Sequence, residues 1–337
     1  MKVLVTGAGG FLGRRICASL LAAGVDDLRL HFRAAAPESL MTELRNRFPQ
    51  AHIEAIGANL LNRGNLGDMV ANVDCMIHAA AAMRGSAADM FANTVIGTRN
   101  LLETAGAAKV RRIVLISSFS VYCTEPLARG AVHDESVALE ADGVDKGPYA
   151  HAKTRQEQMF MEFREAFGFE SVVLRPGVIY GPGGGAFSSR VGIQAMGFFF
   201  SLGRGARLPL TYVENCADAI AIAALRGEPG SAFNVVDDDL PTCSAYLRGY
   251  RRNVARLRVL PVPYWAFLLG ARFLKRYHRK SKGQLPAVFT PTVVRSMYRP
   301  LRYSNAALKA LGWKQGVATR DGMQRTYDYL REQLASR

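Results

Sequence analysis

Lys2-Val-Leu-Val-Thr-Gly-Ala-Gly-Gly-Phe-Leu-Gly-Arg-Arg-Ile16 is the stretch that decides the fold. Residues 3–5 are all large and apolar, with no polar alternation, the pattern of a strand buried on both faces of a parallel sheet. Gly7, Gly10 and Gly13 follow at three-residue spacing, and residues 16–23 read as a helix that Gly24 stops. Strand, glycine turn and helix in this order make a dinucleotide-binding arrangement. The glycines let the backbone turn tightly and approach a pyrophosphate, whose charge then sits at a helix N-terminus. A glycine trio by itself also fits a plain strand-to-helix turn; the buried strand before it and the helix after it carry the reading.

Working outward, strands are expected over residues 28–32, 51–58, 73–81, 111–116, 171–174 and 233–236, with helical segments between them. That alternation predicts an α/β fold built on a doubly wound parallel sheet. The second strand ends in His31-Phe32-Arg33, without the carboxylate that bonds the adenosine ribose of NAD. Arg33, together with Arg14 or Arg15, is instead suited to a 2′-phosphate, so NADP is favoured over NAD. The fourth strand ends in small residues, Ala79, Ala80 and Ala81, which leave room for a ligand in the sheet crevice. His78 reads as a core histidine, and Asn215 as a helix cap.

Gly147-Pro-Tyr-Ala-His-Ala-Lys153 is the second informative stretch. Pro148 suits the first turn of a helix. On that helix Tyr149 and Lys153 stack on one face, a turn apart. A neighbouring ammonium favours phenolate, so the Tyr149 pKa is expected to fall from its usual value of about 10. A tyrosine so tuned is a proton donor and acceptor near working pH.

The 337 residues suffice for one large domain or two smaller ones. Five cysteines, at 17, 75, 123, 216 and 243, show no metal-ligand spacing. No metal site is therefore expected, and a reducing, cytoplasmic setting is. The chain enters a strand pattern at Lys2, which reads as having no signal peptide. No apolar run reaches the roughly 20 residues of a membrane span. The net charge of +15 is uneven: residues 240–320 hold 17 Lys and Arg and no Asp or Glu. Such a block points to a polyanionic partner or surface. Within it, residues 259–274 are rich in large apolar side chains and residues 275–282 are basic. A helix is expected over 264–277 at most, because Pro261 and Pro263 break its start. Residues 259–282 either lie on an anionic membrane surface as a peripheral contact or form a lid helix with solvated basic flanks. No nucleic-acid module is visible.

Together these pieces resemble an extended short-chain dehydrogenase/reductase, in the broad NAD-dependent epimerase/dehydratase and 3β-hydroxysteroid dehydrogenase grouping. The matching motifs are Thr6-Gly-Ala-Gly-Gly-Phe-Leu-Gly13, residues 93–102, residues 117–122, Tyr149 to Lys153, Leu174-Arg-Pro-Gly-Val-Ile-Tyr-Gly-Pro182, residues 208–219 and residues 308–313. The resemblance implies a Rossmann domain over residues 1–176, to which 212–236 return, and a smaller substrate lid over 177–211 and 237–337. It implies that Tyr149 is the acid/base and that Lys153 holds the nicotinamide ribose. Ser118 would bond the substrate oxygen, with Ser117 and Ser120 as competitors for that role. The cofactor would lie on Gly7, Gly10, Phe11, Leu12, Gly13, Arg33, Asn59, Leu60, Ala79 and Ala80, with Pro176, Gly177 and Val178 along the nicotinamide amide. Relatives often form homodimers through a four-helix interface. Two departures matter: Gly177 stands where nucleotide-sugar enzymes carry Asn, and Arg207 is displaced by one from their diphosphate-gripping arginine.

The expectation is hydride transfer between NAD(P) and a secondary alcohol or ketone of a sizeable, partly apolar substrate. A nucleotide-sugar epimerase or dehydratase with retained NAD is the alternative, and a non-catalytic cofactor-binding scaffold is the third reading.

Overall fold

The computed structural model describes residues 1–280 and 290–336. Seven strands form the central sheet: β1 (Lys2–Thr6), β2 (Asp27–Phe32), β3 (His52–Gly57), β4 (Cys75–His78), β5 (Arg112–Ile116), β6 (Glu170–Pro176) and β7 (Ser231–Val235). Their order is β7-β6-β5-β4-β1-β2-β3, and every pairing is parallel. Successive side chains of a strand point to opposite faces. Val3 and Val5 accordingly pack with Ile16 and Leu20 of helix α1 (Gly13–Ala22), while Leu4 packs with Met76, Leu101 and Phe160 on the other face. With apolar residues on both faces, β1 has to be central. The chain moves outward from it to β2 and β3 on one side and returns to β4 on the other. The crevice at the carboxyl ends of β1 and β4 is thus a topological switch point, where open α/β sheets bind ligands.

A smaller layer covers that end of the sheet. Val178–Tyr180 pairs with Leu210–Tyr212, and the helix Val213–Arg226 then packs back against α1. Gly192–Ala195, Phe198–Ser201 and Val259–Pro261 form a second small sheet. Phe187, Phe199, Tyr246 and Tyr250 belong to the apolar cluster beneath it. Arg302–Tyr303 pairs with Val132–His133 at the edge of the crevice.

Two local expectations are corrected. Asn215 does not cap a helix; it lies inside Val213–Arg226, donates to Asp237 Oδ1 (3.0 Å) and the Val317 carbonyl (2.8 Å), and accepts from the Val317 N–H (2.8 Å). Tertiary partners for its amide outweigh the local cap. The apolar-basic helix spans Tyr264–Lys280 and so continues past Tyr277. No proline or glycine stands between Tyr277 and Lys280, so no helix-breaking residue stops the helix at Tyr277. Residues 281 and 282 of the membrane-contact segment lie outside the described residues. Among the described residues no helix is long and apolar enough to cross a membrane.

Candidate active site

A cavity of about 1490 Å³ runs along the carboxyl edge of the sheet, and apart from Arg14 and Arg15 every residue nominated above for cofactor or catalysis lines it. Its floor is the glycine turn. Gly7 has φ +71°, and a Cβ on Gly13 would stand 2.1 Å from the Gly7 carbonyl oxygen, so the turn can close only without side chains there. Helix α1 starts with no side-chain cap and no acidic residue in its first turn. Its positive end is therefore left for a ligand, and these residues fit the pyrophosphate of a dinucleotide.

At the end of β2, His31 is structural. Its Nε2 lies 2.8 Å from the Ala58 carbonyl, and burial lowers its pKa. Arg33 is exposed at the cavity wall, with Nη1 3.4 Å from Asn93 Oδ1. Arg15 is turned elsewhere: it donates to the carbonyls of Phe11 (3.1 Å) and Pro182 (3.0 Å) and lies over the Phe11 ring. Of the arginines considered for a 2′-phosphate, Arg33 is the one on the cavity.

Ser118 precedes the short helical turn Phe119–Val121, and its Oγ accepts from the Ser120 N–H (3.2 Å). It lines the cavity with Tyr149, and its hydroxyl acts to lower the tyrosine pKa. The competitors are placed differently: Ser117 donates to Glu157 Oε2 in the core, and Ser120 Oγ is buried without a partner among the described residues. Tyr149 and Lys153 share the helix Pro148–Phe167. The lowered tyrosine pKa expected from that spacing is not found. Burial holds the Tyr149 pKa above its ordinary value, opposed by the Ser118 hydroxyl. The physical reason is where the ammonium goes: Lys153 Nζ donates to the Ile116 carbonyl (2.7 Å) and Gln156 Oε1 (2.8 Å). Burial brings the Lys153 pKa down to about 8.

Behind Lys153 runs a buried polar chain whose proton positions can be read from its partners. Thr98 donates to the Thr94 carbonyl, so His78 Nε2–H must donate to Thr98 Oγ1 (2.8 Å). His78 Nδ1 then accepts from Thr6 Oγ1 (2.8 Å), which itself accepts the N–H groups of Ala79 and Ala80 (both 3.2 Å). Gln156 Nε2 also donates to Thr98 Oγ1 (2.8 Å), which fixes its oxygen toward Lys153. Burial, with Lys153 nearby, pushes the His78 pKa down to about 3, so the imidazole is neutral. The sequence pointed to Tyr149 and Lys153 but missed Gln156 and Glu157. Both stand one turn beyond Lys153 on the same face, so the helical spacing was a usable signal. Glu157 forms a buried ion pair with Arg175 (2.5 Å), whose Nη1 also donates to the Tyr122 hydroxyl (2.8 Å).

A parallel sheet with an open glycine turn at its switch point, and a Ser–Tyr pair and a lysine above it, defines an NAD(P)-dependent oxidoreductase of the extended short-chain type. Comparison with known proteins agrees. Residues 3–235 match the model of the NAD dependent epimerase/dehydratase family, and the chain belongs to that family. It is 32% identical over 247 residues to a 2-alkyl-3-oxoalkanoate reductase of Stenotrophomonas maltophilia, covering 69% of this chain and 68% of that protein. It is 26% identical over 369 residues to a decarboxylating sterol-4-alpha-carboxylate 3-dehydrogenase of Candida albicans, covering 99% and 98%. Among solved structures, UDP-glucuronic acid 4-epimerase from Bacillus cereus, in complex with NAD, superposes with a TM-score of 0.72 at 18% identity, over 100% of this chain and 99% of that one. That likeness concerns the fold.

Proposed function

We propose that the protein is a dehydrogenase or reductase that exchanges hydride between a dissociable cofactor, NADP in preference to NAD, and the carbinol or carbonyl carbon of a sizeable, partly apolar substrate. The observation that carries this reading is that Ser118, Tyr149 and Lys153 line the same cavity as the glycine turn. A bound nicotinamide supplies or accepts the hydride. Tyr149 gives its proton to the substrate carbonyl, or receives that of the alcohol, and Ser118 bonds the same oxygen. Lys153 would hold the nicotinamide ribose, and Pro176, Gly177 and Val178 would lie along its amide.

Two features favour this over a nucleotide-sugar epimerase. A Cβ on Gly177 would stand 2.2 Å from the Pro209 carbonyl oxygen, so the asparagine that grips such substrates has no room there. Beyond Ser118 the cavity is walled by Phe119, Phe187, Val293, Met297 and Leu301, which suit an apolar chain. The names of the two relatives, an alkyl-oxoalkanoate reductase and a sterol dehydrogenase, denote apolar skeletons as well. The test is the cofactor content of protein purified without added nucleotide. The reading predicts an empty protein that binds NADPH more tightly than NADH. Near-stoichiometric NAD(H) in the denatured supernatant would instead favour an enzyme that returns its hydride in place.

We further propose a peripheral membrane contact. On the Tyr264–Lys280 helix Trp265, Leu269, Phe273 and Tyr277 recur every four residues, and all are exposed, Trp265 by 67% and Phe273 by 73%. The opposite side, Phe267, Leu268 and Ala271, packs on Val294 and Tyr298. Exposed Arg272 and Arg276 flank the stripe, and Arg248, Arg251, Arg252, Arg256 and Arg258 line a hollow elsewhere in the basic block. An apolar stripe with arginines suits an anionic lipid surface.

A further inference from the structure

The cavity wall holds polar side chains that the chemistry above does not use. His133 is 2% exposed and lines the cavity, yet neither ring nitrogen has a hydrogen-bond partner among the described residues. Ser120 Oγ is buried, equally unpartnered, and on the same wall. Leaving a buried polar group unpaired costs about 1–3 kcal/mol. Two in one cavity wall mark the place where polar atoms of a ligand go. The imidazole is wedged among Phe119, Tyr122 and Tyr303, at ring-centre distances of 4.7, 4.4 and 5.5 Å.

The charges around it identify the ligand. Arg190, Lys146 and Arg175 are the cations whose field reaches His133, and Asp134 is the acid. Lys146 is paired with Glu140 (2.7 Å) and Arg175 with Glu157 (2.5 Å). Asp134 is engaged by the Ser136 hydroxyl (2.5 Å) and N–H (3.1 Å). Arg190 also lines the cavity, and it donates to the Met297 carbonyl (3.0 Å). Among the described residues it has no carboxylate partner. One uncompensated guanidinium, one hydroxyl and one imidazole with an N–H to give call for a single negative charge on acceptor oxygens. A diphosphate would bring more charge than one arginine balances.

We propose that Arg190, His133 and Ser120 form an anchoring subsite for a carboxylate on the substrate, which is therefore an oxo or hydroxy acid. Ser120 is two residues from Ser118, so the carboxylate sits close to the reacting carbon, as in a 3-oxo or 3-hydroxy acid with an apolar tail. This deepens the dehydrogenase reading and rests on it for the identity of the reacting carbon.

The test is calorimetric titration of the full chain, saturated with NADP+, with 3-hydroxydecanoate and with its methyl ester. A charge-assisted contact predicts that the acid binds about tenfold to a hundredfold more tightly than the ester. Arg190→Gln removes most of that preference and leaves the ester unchanged, Arg190→Lys keeps much of it, and His133→Phe weakens the acid alone. Equal binding of acid and ester, no binding of either, or an Arg190→Gln change that weakens both alike overturns the subsite. Turnover in the same mixtures reads the other proposal separately. Arg190-dependent binding of the acid without oxidation supports the subsite and refutes the dehydrogenase; equal oxidation of acid and ester does the reverse.

Discussion

Lys153 holds its ammonium in the protein interior against a backbone carbonyl and the Gln156 amide, with the Glu157 carboxylate as the favourable charge nearby. That arrangement makes stability depend on pH in a defined direction. The unfolded side chain keeps its proton up to about pH 10.5, whereas the folded one releases it near 8. Between those values the unfolded state binds more protons, so this residue's contribution to stability rises with pH across the window and is lost as pH falls to 8. The full span is roughly 3 kcal/mol. Other buried tyrosines and cysteines also titrate at high pH, so the comparison has to be with Lys153→Met. Urea denaturation of both proteins at pH 7.5 and pH 10 should show the wild type gaining on the variant as pH rises. A constant difference would mean that the lysine is not desolvated. Tyr149, by contrast, shows what spacing cannot reveal: adjacency on a helix was legible, but the direction of the lysine's hydrogen bonds depends on the Ile116 carbonyl of a distant strand.

The Pro148–Phe167 helix joins the site to the sheet. Its face presents Tyr149, Lys153, Gln156 and Glu157 in succession, and Glu157 meets Arg175 of β6 at 2.5 Å while accepting from Ser117 after β5. Replacing one member of a buried ion pair strands the other charge. Glu157→Gln should therefore cost about 3–5 kcal/mol of unfolding free energy in urea titrations. A loss below about 1 kcal/mol would mean that water reaches the pair. The elements of the sheet were readable because each signal was local: the apolar run of β1, the glycine turn and the alternation of strands and helices. The subsite residues His133, Ser120 and Arg190 were not readable for their role. Ser120 stood out only as a competitor for the Ser118 position, and the three come from segments far apart in sequence, a helical turn, a short strand and a loop, that line one cavity. Asn215 misled for the same reason, since a cap is a local motif and its actual partners lie at Asp237 and Val317.

At the scale of the whole molecule, the near-neutral dinucleotide-binding part and the basic block make distinct claims. If the Tyr264–Lys280 helix rests on lipid, the protein should co-sediment with phosphatidylglycerol vesicles and much less with phosphatidylcholine vesicles. Trp265→Ser combined with Phe273→Ser should abolish that binding without changing turnover of a soluble substrate. Retained binding of the double variant would leave the attraction purely electrostatic. The Rossmann part makes the central claim, that Tyr149 supports net hydride transfer from a dissociable cofactor. The most direct measurement supplies NADPH deuterated at its transferable position together with a panel of aliphatic ketones and 3-oxo acids, and follows products by mass spectrometry. The account predicts one deuterium at the carbinol carbon and NADP+ in solution, with Tyr149→Phe slowing this about 10²–10⁴-fold while NADPH binding is retained. Tyr149→Phe turning over at the wild-type rate, or NAD held tightly with no deuterium in any product, would contradict it.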